Sequence, residues 1–115
     1  MKLRTDGKTI RLLLPRSEVA RFADCGSGSV QIVLPGGCLE YSLEAADIPG
    51  TAASFEANRI RVAVPNSAAR QWTASDEVGI YGVHNAIAIA IEKDFRPTSA
   101  ASPDDHDRYP NARAS

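Results

Sequence analysis

Two stretches of this chain share one pattern of apolar residues, proline and serine. Residues 10–22 set against residues 60–72, at an offset of 50, match Ile10 with Ile60, Arg11 with Arg61, Pro15 with Pro65 and Ser17 with Ser67. Leu12 meets Val62, Leu14 meets Val64 and Phe22 meets Trp72, so apolar positions agree in kind where they differ in identity. With the offset changed to 48, Val30 meets Val78, Ile32 meets Ile80, Leu39 meets Ile87, Tyr41 meets Ile89, Leu43 meets Ile91 and Glu44 meets Glu92. Two ordered blocks separated by one short gap read as an internal duplication. A unit of about 45 residues buries too little apolar surface to fold alone, so the two copies are expected to share one core.

Each copy carries the same punctuation. Ile10, Leu12 and Leu14 alternate with Arg11 and Leu13, as do Ile60, Val62 and Val64 with their neighbours, which reads as a strand with one buried face. Pro15 and Pro65 end these strands, because proline lacks the amide donor of a ladder but suits the start of a helix. Short helices are expected over residues 17–22 and 67–72. Hairpins follow at 30–34 with 38–44, around Pro35-Gly36-Gly37, and at 78–82 with 86–93, around Val83-His84-Asn85. Extended segments at 2–5 and 53–56, turned by Asp6-Gly7 and Ala57-Asn58, precede the repeated strands. The expected fold is mainly β with two short helices, in the α+β class. It is a tandem strand-strand-helix-strand-strand repeat closing into one pseudo-two-fold barrel of eight strands. The expected domain spans residues 1–95, with repeats at 1–44 and 53–95, and residues 96–115 form a polar C-terminal tail.

The wording of the second copy, Arg61-Val62-Ala63-Val64-Pro65, then a helix, then Ser75-Asp76-Glu77-Val78-Gly79-Ile80, resembles the AbrB, MazE and SpoVT swapped-hairpin family. Ser75 stands where that family favours glycine, and the first copy keeps Gly28 but has Ser29 in place of the acid. The resemblance covers residues 1–95 as two copies and implies that one chain is the counterpart of that family's usual dimer. It also implies a grip on DNA. A second resemblance lies in Glu92-Lys93-Asp94-Phe95 followed by residues 104–111, Asp-Asp-His-Asp-Arg-Tyr-Pro-Asn, which is similar to the ending of an uncharacterised bacterial domain family. Members of that family often have a cysteine shortly after the phenylalanine, where this chain has Arg96-Pro97. It implies no established activity.

Charge bears on the DNA expectation in two directions. The 13 basic and 14 acidic residues give a net charge of -1 and a pI of about 6.1, so nothing attracts nucleic acid or anionic lipid in bulk. Locally, residues 8–21 hold Lys8, Arg11, Arg16 and Arg21 against Glu18, and residues 59–72 hold Arg59, Arg61 and Arg70 with no acid between them, a net of +3 in each stretch. These seven residues are the candidate contacts to phosphate backbone, arranged as two equivalent patches. The plainer account of Arg11 and Arg61 is the polar alternation of a half-exposed strand.

Other chemistries are thinly marked. Asp104, Asp105, His106 and Asp107, with Glu92 or Asp94, could gather around a divalent ion, yet they lack the alternating acids, central glycine and distal glutamate of a calcium loop. A solvated tail explains them better, and no metal or other cofactor is expected. Cys25, in Asp24-Cys25-Gly26-Ser27-Gly28-Ser29, could be exposed by flexible glycines that offer amides to an oxyanion, but no base is placed to activate it. The same loop lacks the Gly-Lys-Ser/Thr ending of a phosphate cradle. His84 reads as a solvent-exposed turn residue, and Phe22 and Trp72 as plugs of the core. With Cys25 and Cys38 unpaired, no hydrophobic leader and no apolar run longer than the six residues 86–91, a cytoplasmic protein without membrane contact is expected. The functional expectation is a non-enzymatic binding module that contacts DNA backbone. The alternative is a protein-interaction module using a strand edge and the acidic tail. The oligomeric state stays open.

Overall fold

The computed structural model describes residues 1–95. The first half runs β1 (Lys2–Thr5), β2 (Thr9–Leu14), α1 (Arg16–Cys25), β3 (Ser27–Leu34) and β4 (Gly37–Ala46). The second half repeats that order with β5 (Ala52–Glu56), β6 (Arg59–Pro65), α2 (Asn66–Ala74), β7 (Gly79–His84) and β8 (Ile87–Lys93). Strand order within the sheets is β1-β2-β8-β7 in sheet A and β3-β4-β6-β5 in sheet B. Each sheet therefore joins the first hairpin of one half to the second hairpin of the other. The joins are parallel: Leu12 lies beside Ile91 between β2 and β8, and Leu43 beside Val62 between β4 and β6.

Local chemistry explains the element ends. Pro15 and Pro65 take extended conformations at the N-caps of α1 and α2, and the Pro15 carbonyl accepts hydrogen bonds from the amides of Glu18 and Val19. Gly26 ends α1 in the left-handed region, where its amide donates to the Phe22 carbonyl at 2.8 Å. Pro35 before Gly36 (φ 93°) supplies the chemistry of a type II turn between β3 and β4. The β5–β6 and β7–β8 turns place Ala57-Asn58 and Asn85-Ala86 at positive φ, as a type I′ hairpin turn requires.

The inner faces of the two sheets and the two helices enclose one core. Leu12, Leu14, Ile89 and Ile91 come from sheet A, and Tyr41, Leu43, Val62 and Val64 from sheet B. Val19 and Phe22 of α1 and Ala69 and Trp72 of α2 fill the space between. Phe22 and Trp72, the residues matched by the repeat, meet edge to face with ring centroids 6.2 Å apart. Trp72 is wholly buried and its indole N–H donates to the Val78 carbonyl at 3.0 Å.

Three expectations need correction. The eight strands form two four-stranded sheets and no closed barrel. Where β5 and β7 approach, His84 Nδ1 lies 3.0 Å from both the main-chain N and O of Ala53, and Gly82 packs against Thr51, so a side chain occupies groups that a closing ladder would need. The repeat register also differs beyond the helices. Ser27 faces Glu44 and Gly79 faces Glu92, so Val30 corresponds to Gly82 and Ile32 to His84, not to Val78 and Ile80. The second half has a longer helix-to-strand connection and a shorter hairpin, and the two changes mimic one small gap in the text. Finally, the supposed glycine-rich loop at 24–29 is a helix end running into β3, and His84 ends β7, with the turn at Asn85-Ala86.

Replacing Trp72 with Ala should cost about 3–5 kcal/mol in chemical unfolding, whereas Trp72 with Phe should cost less because Phe22 keeps an aromatic neighbour. Ala86→Gly should raise stability by up to about 1 kcal/mol, since glycine accepts the positive φ that alanine resists.

Candidate nucleic-acid interface

All seven candidate cations are exposed, but they do not share a surface. Buried Leu12 and Leu14 turn Arg11 to the outer face of sheet A, and buried Val62 and Val64 turn Arg59 and Arg61 to the outer face of sheet B. These faces point away from each other across the core. Lys8 lies at the β1–β2 turn, Arg16 and Arg21 are on α1, and Arg70 is on α2. The two patches are not equivalent.

Carboxylates answer several of these charges. Arg11 Nε lies 3.2 Å from Glu92 Oε1, and Arg61 Nε lies 2.5 Å from Glu44 Oε1. These pairs correspond under the repeat: each arginine sits on the first hairpin of one half and each glutamate on the second hairpin of the other. Arg59 pairs with Glu40 at 2.5 Å. Counting charge along the chain missed this pairing because the partners come from strands about 20 to 80 positions away that only the sheet order brings together. Each pair is exposed on its arginine side and contributes only about 0–1 kcal/mol.

The structure adds two cations that sequence reasoning passed over. Lys2 and Arg4 share the outer face of sheet A with Arg11, and Arg4 stands directly opposite Arg11 in the β1–β2 register. Like charges facing each other across strands repel. Lys2 Nζ lies 3.3 Å from Asp94, whereas Arg4 has no ion-pair partner among the described residues. The outer face of sheet B differs in sign, since Glu40, Glu44 and Glu56 there outnumber Arg59 and Arg61. Arg4 is legible in the sequence as a cation of the expected strand 2–5, which lies outside the basic stretch that begins at Lys8.

Other polar groups are accounted for by packing. Burial pushes the Tyr41 phenol above its ordinary range, with the Glu18 charge adding to the effect, and its O–H donates to the Met1 carbonyl at 2.7 Å. Lys93 is buried with Nζ 2.6 Å from the Ser75 carbonyl and 5.9 Å from the Trp72 ring centroid. Burial pulls Lys93 below the usual lysine range, against Asp76 and Glu77. At the β1–β2 turn, the Thr9 hydroxyl and the Lys8 amide donate to Asp6 and hold its carboxyl low.

Cys25 is exposed beside an open cleft between the end of α1 and the start of α2, lined also by Asp24, Asn66, Arg70 and Thr73. Among the described residues no imidazole lines it. The Gly26 amide is spent on the helix end, and Ser27–Leu34 is strand, so the oxyanion arrangement considered from sequence does not form. Among the described residues no group of three or more His, Cys, Asp and Glu could hold a metal, and no helix is long and apolar enough to cross a membrane. Asp104, Asp105, His106 and Asp107 lie outside the described residues.

Fold and surface together define a small α+β domain with interleaved hairpins and one face where cations confront each other. The chain belongs to a family of unknown function, DUF7009, whose model matches residues 1–113. No curated protein and no solved structure matches it.

The raised phenol of Tyr41 has a signed consequence. Above about pH 10 the unfolded chain releases this proton before the folded one, so stability falls as pH rises through the window up to the folded value. Tyr41→Phe should make the alkaline loss of stability shallower in denaturant titrations across that window. An unchanged slope would place the proton release elsewhere.

Proposed function

We propose that this chain is a non-enzymatic binding module that contacts the phosphate backbone of DNA with the outer face of sheet A. The observation that carries the reading is the Arg4–Arg11 pairing, two guanidiniums set opposite each other with Glu92 answering Arg11 alone, beside Lys2 and above the turn bearing Lys8. A phosphate between the two guanidiniums would convert their repulsion into attraction. The strand order lends support: hairpins exchanged between halves are the connectivity implied by the resemblance of residues 1–95 to the AbrB, MazE and SpoVT family. The seven cations first considered reduce on this reading to Lys8 and Arg11, joined by Lys2 and Arg4. Arg59 and Arg61 lie on a face where Glu40, Glu44 and Glu56 outnumber them and are assigned no contact.

Such a face reaches few phosphates, so binding should be weak and confined to low salt. The double variant Arg4→Ala/Arg11→Ala, which removes the one phosphate held between them, should lower the slope of log affinity against log salt by about 1, and Arg59→Ala/Arg61→Ala should leave it unchanged, measured by fluorescence anisotropy on duplex DNA. Absence of binding at low salt, or an Arg4/Arg11 variant with an unaltered slope, defeats the reading. The exposed strand edge of β3 favours the alternative, a protein partner.

A further inference from the structure

Sheet B ends in β3, an edge strand of eight residues whose outward side carries no other strand among the described residues. Natural edges are usually guarded by charge, proline or cover. Here β1 carries Lys2 and Arg4, β5 carries Glu56, and β7 has Thr51 against Gly82 and Ala53 against its His84. From Gly26 to Gly37 there is no charged residue. The strand instead exposes Ile32, Val33 and Leu34, with Val33 at 81%.

The distribution of size along β3 names its occupant. Its first part is small, Ser27, Gly28 and Ser29, and its last part is bulky, Ile32, Val33 and Leu34. Parallel pairing of two such strands in register sets bulk against bulk, whereas antiparallel pairing sets bulk against glycine and serine. The Ala45 amide donates to the Gly26 carbonyl, so by alternation Gly28, Val30, Ile32 and Leu34 bond inward to β4. Ser27, Ser29, Gln31 and Val33 then turn their main-chain groups outward.

We propose that β3 pairs antiparallel with β3 of a second copy of this chain across a two-fold axis at Val30, joining two B sheets into one. In this register Ser27 faces Val33 and Ser29 faces Gln31, and about eight main-chain hydrogen bonds form. On the inner face, Ile32 falls opposite Gly28 and Leu34 opposite Gly26. A small cleft lies at that point, where Met1, Leu14, Phe22 and Leu43 give apolar walls and Glu18 and Arg21 a charged rim, and a Cβ on Gly28 would touch nothing within 4 Å. The second copy's Ile32 supplies apolar atoms to the cleft. The uncharged strand meets itself without repulsion, which neither the β1 nor the β5 edge would do. The inference is independent of DNA contact, because β3 lies in the sheet opposite Arg4 and Arg11.

Sedimentation velocity on the full chain tests it. The protein should be a concentration-dependent dimer, and Gly28→Lys, which the open space around Gly28 tolerates, should be a monomer with unchanged far-UV and near-UV circular dichroism. Register is read by cysteine crosslinking in a Cys25→Ser/Cys38→Ser background. A Ser29→Cys chain mixed with a Gln31→Cys chain should form a mixed disulfide dimer faster than either forms with itself. A wild-type chain that stays monomeric at high micromolar concentration, a dimer that survives Gly28→Lys, or crosslinks without preference for the mixed pair would each overturn the proposal.

Discussion

Two parallel strands cannot be joined by a tight turn, and both central pairs of this molecule are parallel: β2 beside β8, and β4 beside β6. In sheet A the partners come from opposite ends of the described chain. Sheet A cannot be completed until the second half has folded, and sheet B needs β6 from that half as well. The halves are therefore parts of one cooperative core, consistent with the size argument that neither could bury enough surface alone. Phe22 and Trp72 sit where the two helices meet over this core, and the ring contact there joins the halves a third time.

The same interleaving shapes the surface. Arg11 finds Glu92 and Arg61 finds Glu44 because each first hairpin lies beside the other half's second hairpin. The repeat thus builds its own neutralisation twice. What escapes it is Arg4, whose counterpart across from Arg61 is Ser54. Divergence between the copies, more than their symmetry, separates a face with opposed cations from one rich in carboxylates. The copies diverge likewise at their second hairpins. β7 is short and overlaid by Thr51, and β3 is longer and open along its edge.

Much of this architecture was legible in the text. Alternation at Ile10, Leu12 and Leu14, the prolines at 15 and 65, and the turn residues located all eight strands and both helices, because those signals act over a few residues. Phe22 and Trp72 were identified as core from their matched positions. The missing information was long-range. Barrel closure depended on whether the edges β5 and β7, and β1 and β3, would pair, and at the first of these an imidazole reaches Ala53, which no local pattern encodes. The slipped match of Val30 with Val78 in place of Gly82 arose because a shift of four preserves strand parity, leaving the inward and outward faces alike in either register. Charge counted along the chain overstated the basic patches since the neutralising glutamates are neighbours only in the folded sheets.

Native-state amide hydrogen exchange tests the central claim, that the halves form one cooperative core. The slowest amides of β2 and β4 in the first half, and of β6 and β8 in the second, should exchange with one common opening free energy equal to that of global unfolding, and should respond together to denaturant. Separate opening energies for the two halves, with one remaining protected while the other exchanges, would contradict it.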